Sequence, residues 1–249
     1  DFMRDPVRAF FSRRLGVRLG EEDYVLEDDE PFALDGLQRW RLRDELVRAE
    51  QRASDTDTAR AMRRDRLAAM HRRGDLPAGG FGARIEAELV EPLDTMLEQY
   101  RAALARWPYV EAGALELRLN TCMENVRIEL ADWLDGLRRE AAGAAAGAIL
   151  VLDSGNLVDD RGHYRADRLI PHWLRHLAWQ LVAGPVVHEV VSGKGCVRLE
   201  PLEEEVARAH LLDLLLAWGE GMRQPLPVAA KTAFTWLAQR RAGDKALWE

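Results

Sequence analysis

The spacing of apolar residues divides the chain in two. Up to Pro108 they recur every three or four residues, the period of an amphipathic helix. Val7, Phe10, Phe11 and Leu15 predict a first helix over 6–15, with Pro6 in its first turn and Gly16 at its end. Leu37, Trp40, Leu42, Leu46 and Val47 predict a second over 35–52, with Asp35 as N-cap. A third covers 54–73, opened by Ser54 or Asp55. The stretch from Gly74 to Gly82 is rich in turn formers and reads as a loop. A longer helix follows from near Ala83 to Arg106, kinked or broken at Pro92.

Beyond Pro108 the period shortens to two. Residues 115–119 and 126–130 alternate strictly, as half-buried strands do, with Asn120 to Asn125 as their link. The Ala/Gly tract 141–147 is either a helix end or a loop. Residues 148–152 are an unbroken apolar run, the mark of a central strand. A strongly amphipathic helix is expected at 167–182 and a hairpin at 186–191 and 196–199. Helices follow at 202–221 and 229–241, the first with Leu211, Leu212, Leu214, Leu215 and Trp218 on a buried face. The tryptophans as a set read as packing residues. The pattern predicts an α/β (or α+β) domain with a small mixed sheet: a helical part over 1–108 and an α/β core over 109–249 of one domain. The expected core joins strands 115–119, 126–130, 148–152 and 186–191, with helix 167–182 across one face.

Composition narrows the function classes. With 47% hydrophobic and 31% charged residues the chain has a globular composition. No apolar run approaches the roughly 18 residues that cross a bilayer, so no membrane partner is expected. The start carries no secretion signal and no initiator Met, which reads as a piece of a longer protein. Cys122 and Cys196 are far apart without metal-ligand spacing, which suits a reduced, cytoplasmic setting.

A net charge of −7 argues against a free-standing nonspecific DNA binder. The charge is uneven, however. Residues 20–30 are acidic, whereas Arg60, Arg63, Arg64, Arg66, Arg72 and Arg73 face only Asp65 within 59–74. The cluster reads either as a path for a nucleic-acid backbone or as a solvated helix face. A GC-rich genome would also favour Arg and Ala. If the cluster contacts DNA, losing Arg60, Arg63, Arg64 and Arg66 together should flatten the salt dependence of binding with little effect on folding.

Candidate catalytic motifs are few. His172 and His176, four apart, could place two imidazoles on one metal, but Trp173 stands where the zinc-protease pattern needs Glu, and no third ligand is evident. The 74–82 loop lacks the Lys-Ser/Thr of a phosphate-binding loop, and no Gly-x-Ser-x-Gly elbow occurs.

Several segments carry a more specific signal. They are Asp5-Pro6-Val7-Arg8-Ala9-Phe10-Phe11 with Arg14-Leu15-Gly16-Val17, then Glu30-Pro31-Phe32-Ala33-Leu34-Asp35-Gly36-Leu37, then Gly74-Asp75-Leu76-Pro77 with Gly80-Phe81-Gly82. Trp173-Leu174-Arg175-His176-Leu177 and Gly219-Glu220-Gly221-Met222-Arg223-Gln224-Pro225-Leu226 follow. In order and spacing they resemble the C-terminal domain of RecC proteins, the gamma subunits of exodeoxyribonuclease V. The resemblance is weakest at 110–165, and such proteins continue for further helices.

The resemblance implies a fold related to the PD-(D/E)xK nucleases. Active members use a helix Glu, an Asp at one strand end, and Asp/Glu-x-Lys on the next strand; the carboxylates hold Mg²⁺, which activates water. Here Asp135 follows one strand, and Asp153-Ser154-Gly155 follows the next, so Gly stands in the place of Lys. Asp135 and Asp153 are then a relic pair or simple strand-end polar residues. The resemblance implies a domain without catalysis, metal or other cofactor that guides duplex DNA and holds the RecB and RecD subunits. An active metal-dependent deoxyribonuclease and a protein scaffold without DNA contact are the alternatives.

Overall fold

The first helices of the chain begin at side-chain caps. Asp35 accepts from the Gln38 amide at 2.7 Å while Gln38 reaches back to the Asp35 amide, a capping box at the start of α2 (Gly36–Glu50). Asp55 caps α3 (Thr56–Arg73) by accepting the Thr58 amide at 2.8 Å. Gly74, at φ +75°, closes α3 in the left-handed conformation. Before them, α1 (Pro6–Ala9) widens into a π-helical turn over Phe10–Arg14. The computed structural model describes residues 2–17, 34–53, 55–159 and 161–246, with side chains placed as far as Arg240. The acidic segment 20–30, residues 31–33 of the second family-like segment, and Ser54 lie outside the described residues.

Pro92 breaks the long helix as its missing amide requires, giving α4 (Gly79–Val90) and α5 (Leu93–Arg106). Helix α4 starts at Gly79, earlier than the glycine-rich sequence suggested. The reason is contact: a Cβ at Gly82 would lie 1.9 Å from the Pro77 carbonyl oxygen, so Gly82 lets the helix return against its own entry loop.

The main sheet runs β1 (Tyr109–Val110), β4 (Arg138–Arg139), β5 (Gly147–Asp153), β6 (Val186–Ser192), β7 (Gly195–Leu199). Strand β5 is central, as its apolar run predicted. It pairs in parallel with β6 through the crossover helix α6 (Ala166–Ala183), and the other pairings are antiparallel. Residues 141–146 form a loop.

The alternating segments behave differently from expectation. They extend to β2 (Leu115–Met123) and β3 (Val126–Leu134), joined at a turn where Glu124 takes φ +54°. They pair only with each other, as a separate two-stranded sheet. Alternation reports one buried face and is silent on which sheet covers the strand. Here that face, Leu117, Leu119 and Ile128, packs with α6 and α7 (Glu204–Arg223), and the short β1 and β4 take the place beside β5.

Side chains alternate across β5 and β6 and divide the core. Leu150, Leu152 and Val191 face α2–α5 in one cluster, while Ile149 and Val186 face α6, α7 and the ribbon in another. Among the seven described tryptophans, Trp107 and Trp179 are buried but Trp40, Trp133, Trp218 and Trp236 are exposed. Helix α7 approaches the ribbon through Gly219, where a Cβ would lie 2.4 Å from Ile128 Cδ1, rather than through Trp218. The last helix is α8 (Ala230–Ala246). No helix among the described residues is long and apolar enough to cross a membrane.

Candidate functional site

Asp153 is the last residue of β5 and points toward α6. Its Oδ2 lies 3.0 Å from His172 Nε2, and its Oδ1 accepts the Gly155 amide at 2.6 Å. These contacts, the imidazole first, hold its pKa below the ordinary carboxylate range against the opposing effect of burial. An ionised carboxylate only accepts, so the His172 proton sits on Nε2. Ser154, next in the chain, donates to Asp44 of α2 at 2.9 Å. The space beside Gly155 is filled: a Cβ there would meet Asp153 Oδ1 at 2.9 Å and Arg168 Nη1 at 3.4 Å.

Asp135 stands in the turn after β3, and its side chain is 80% exposed. It accepts from Arg175 Nη2 at 3.2 Å. Helix α6 therefore supplies a basic partner to each strand-end carboxylate, His172 to one and Arg175 to the other, about one helical turn apart. Each carboxylate is engaged by protein rather than left open toward a shared centre.

His176 does not join His172 on a metal. Its Nε2–H donates to the Glu200 carbonyl at 3.0 Å, and its Nδ1 accepts from Gln180 at 3.3 Å. Gln180 also donates to the Val186 carbonyl at 2.7 Å and accepts the Val186 amide. Next to this network His188 of β6 is fully buried, with neither ring nitrogen partnered among the described residues. Its ring lies 5.6 Å from that of His172 and 6.2 Å from that of His176. Among the described residues no group of three or more His, Cys, Asp or Glu side chains is arranged to hold a metal ion.

The six arginines of α3 separate into different roles. Arg63 is buried at 8% exposure and forks onto Glu50 of α2 at 2.7 and 2.6 Å and onto Asp94 of α5 at 2.7 Å. These partners raise its pKa further. It is a pin between helices, and the expectation that it could be removed with little effect on folding is corrected. Arg66 and Arg73 pair with Glu45 of α2, and Arg73 also with Asp75. Arg60, Arg64 and Arg72 are exposed and make no ion pair among the described residues.

The profile of the RecC C-terminal domain matches residues 1–241. The chain belongs to the RecC C-terminal domain family. It is similar to the RecBCD enzyme subunit RecC of Escherichia coli (strain K12), with 28% identity over 237 residues covering 95% of this chain and 18% of that protein. It is also similar to the RecBCD enzyme subunit RecC of Mycobacterium tuberculosis (strain ATCC 25618 / H37Rv), with 26% identity over 256 residues covering 98% of this chain and 20% of that protein. The chain thus spans about a fifth of the length of these relatives. The crystal structure of SSO0001 is similar over 70% of this chain and 74% of its own, at 12% identity and a TM-score of 0.29, a level that carries no argument.

Within this RecC-family chain, sequence reasoning missed Arg168, His188 and Glu50. Glu50 and Arg63 sit in neighbouring helices, and nothing in their spacing marks them as partners. His188 had a signal, because a histidine inside the apolar run Val186-Val187-His188-Glu189-Val190-Val191 must be buried with its neighbours.

Proposed function

We propose that this chain is a non-catalytic module of a RecBCD-type helicase–nuclease, guiding duplex DNA and holding the RecB and RecD subunits during double-strand break repair and recombination. The family and the naming of its relatives as RecBCD enzyme subunits support the assignment to that complex. A PD-(D/E)xK-like origin of the fold is supported by the central β5, the crossover helix α6 and the parallel β6.

The observation that carries the non-catalytic reading is the state of Asp153. Its two oxygens accept from His172 and from the Gly155 amide, and Asp135, the other strand-end carboxylate, pairs with Arg175 instead of joining it at a shared centre. Gly155 offers no side chain to activate or steady a nucleophile. On the opposite side of β5, Leu150 and Leu152 are packed into the apolar cluster against α5. Of the α3 arginines, Arg60, Arg64 and Arg72 are the ones open to a phosphate backbone.

The test is incubation of the chain with linear duplex and single-stranded DNA in Mg²⁺ or Mn²⁺. No cleavage is expected. Cleavage that disappears in Asp135→Ala or Asp153→Ala would overturn the proposal in favour of an active nuclease. Absence of any DNA binding at low salt would reduce the role to a protein scaffold.

A further inference from the structure

The ribbon of β2 and β3 pairs with no other strand among the described residues, so backbone groups along its outer edges are left over. The register says which ones. Met123 pairs with Val126 across the two-residue turn Glu124-Asn125. A turn of that length closes on a hydrogen-bonded pair, and bonded and non-bonded pairs then alternate along antiparallel strands. Val126, Ile128, Leu130, Asp132 and Leu134 therefore bond to β2. Arg127, Glu129, Ala131 and Trp133 turn their amides and carbonyls away from it. The Trp133 amide agrees with this parity, because it donates to the Asp132 carboxylate at 2.8 Å. The amides of Arg127, Glu129 and Ala131 find no backbone acceptor among the described residues.

The edge of β3 is the more open of the two. Six of its nine residues are exposed, against four of nine in β2. On the face turned to α6 and α7, Leu117 and Leu119 of β2 are buried, whereas Val126 of β3 is 57% exposed and Leu130 is half-buried. The apolar layer is thus left partly uncovered along β3, as it is where a sheet lacks a strand. Folded proteins block such edges with proline, bulges or inward charges, because an open edge is a template for another chain. Strand β3 has no proline, and its pairing runs through nine consecutive residues without a bulge. Asp132 guards the Trp133 end and leaves 127–131 open. Beside that stretch Arg127 and Glu129 are exposed and in no ion pair among the described residues.

We propose that the outer edge of β3 is a strand-addition site, on which an extended segment of a partner subunit pairs with Arg127, Glu129 and Ala131 as the third strand of the ribbon. Backbone bonds hold the segment, and side chains select it. It carries an acid beside Arg127 and a base beside Glu129, two residues apart on its outer face, and an apolar residue between them that covers Val126 and Leu130. A strand of about five residues buries less than the roughly 1,200 Å² of a standard interface, so the edge is suited to a protein also held at other surfaces. It is poorly suited to a second copy of this chain, since two chains of net charge −7 repel each other. The inference rests on the subunit-holding part of the proposed function and gives it a location.

The experiment uses the 249-residue chain with the purified RecB and RecD subunits of its own organism as probes. Affinity is measured by calorimetry, and hydrogen exchange is read residue by residue with and without each subunit. In the chain alone the amides of Arg127, Glu129 and Ala131 should exchange fast, and one subunit should slow all three by about tenfold or more. Docking through side chains alone would not protect alternate amides. Ala131→Pro removes an outward amide, and no ribbon bond, at an edge position where proline is tolerated. It should keep the parent melting temperature and bind that subunit at least about tenfold more weakly, the scale of one or two lost hydrogen bonds. Asn120→Pro, which removes an outward amide from β2, should bind like the parent. Arg127→Glu tests the edge without a backbone change: binding should weaken while folding is unaffected, because the arginine is exposed. Equal binding by the parent, Ala131→Pro and Arg127→Glu, with the three amides still fast in the complex, overturns the inference and leaves the subunit-holding reading standing. A chain that binds neither subunit ends both. Protection that appears on concentrating the chain alone makes a second copy the occupant, and protection that appears only with duplex DNA makes the edge a DNA contact; either result overturns the assignment to a subunit.

Discussion

His188 sets the clearest residue-level consequence. It lies on the α6 side of β6, fully buried, and its ring nitrogens find no partner among the described residues. Burial is the main reason its pKa falls to about 3, with electrostatic repulsion toward His172, His176 and Arg175 lowering it further. In the unfolded chain the ring titrates near 6.5. Above that value both states are neutral, and the group adds no pH dependence. Between that value and about 3 the unfolded chain holds a proton that the folded chain does not, so stability falls as pH falls, by about 1.4 kcal/mol per pH unit from this group alone. His188→Phe is expected to remove that part of the acid slope in urea titrations from pH 7 to pH 4. At neutral pH it should cost little, since the replacement also removes two unanswered polar atoms. Identical acid slopes in the two proteins would show that His188 is not protected from protonation in the fold.

At the scale of elements, the Arg63 fork determines how α2, α3 and α5 stay together. Glu50 is buried on α2, Asp94 is on α5, and the guanidinium between them neutralises both. Removing one member of a buried pair leaves a charge without compensation, typically about 3–5 kcal/mol. Arg63→Ala should therefore unfold the chain at clearly lower urea, whereas Arg60→Ala, Arg64→Ala and Arg72→Ala should each stay within about 0.5 kcal/mol of the parent. Arg63→Met, which fills the space but keeps Glu50 charged, should fall near Arg63→Ala; paired with Glu50→Leu it should recover much of the loss. A null effect of Arg63→Ala would remove the pin from the account. The same helix shows what was legible in the sequence. Its limits follow from Asp55 and Gly74, and its length from the period of Leu67 and Met70, all local signals. That Arg63 points inward while Arg60 points outward depends on partners in other helices, which composition cannot reveal. Likewise the apolar run of β5 declared a central strand, while the alternation of β2 and β3 declared one buried face but not their separation from the main sheet. Asp135 and Asp153 were legible from the strand ends together with the family resemblance; the His172 and Arg175 side chains that engage them come from a helix remote in sequence.

For the molecule as a whole, the two halves of the chain share one interior. Leu150 and Leu152 of β5 and Val191 of β6 belong to the same cluster as Leu93, Met96 and Tyr100 of α5 and Leu46 of α2. Trp107 packs on Ala148 and Val187, Arg106 pairs with Glu189 of β6 at 2.7 Å, and Ser154 reaches Asp44 of α2. The helices pack on one another and on the sheet in one continuous cluster, so the helical layer should not unfold by itself. The expectation is that amide protons of α2 and α5 exchange through the same global opening as those of β5 and β6. Met96→Ala tests this, since Met96 is 1% exposed and lies at the contact between the layers. Truncation there should cost about 2–5 kcal/mol. If the halves form one cooperative unit, the protection of β5 amides falls by the same amount as that of α5 amides, although no side chain of the sheet has been changed. If instead the α5 amides lose protection while β5 and β6 keep theirs, the helical part is an independently unfolding unit resting on a self-sufficient α/β core.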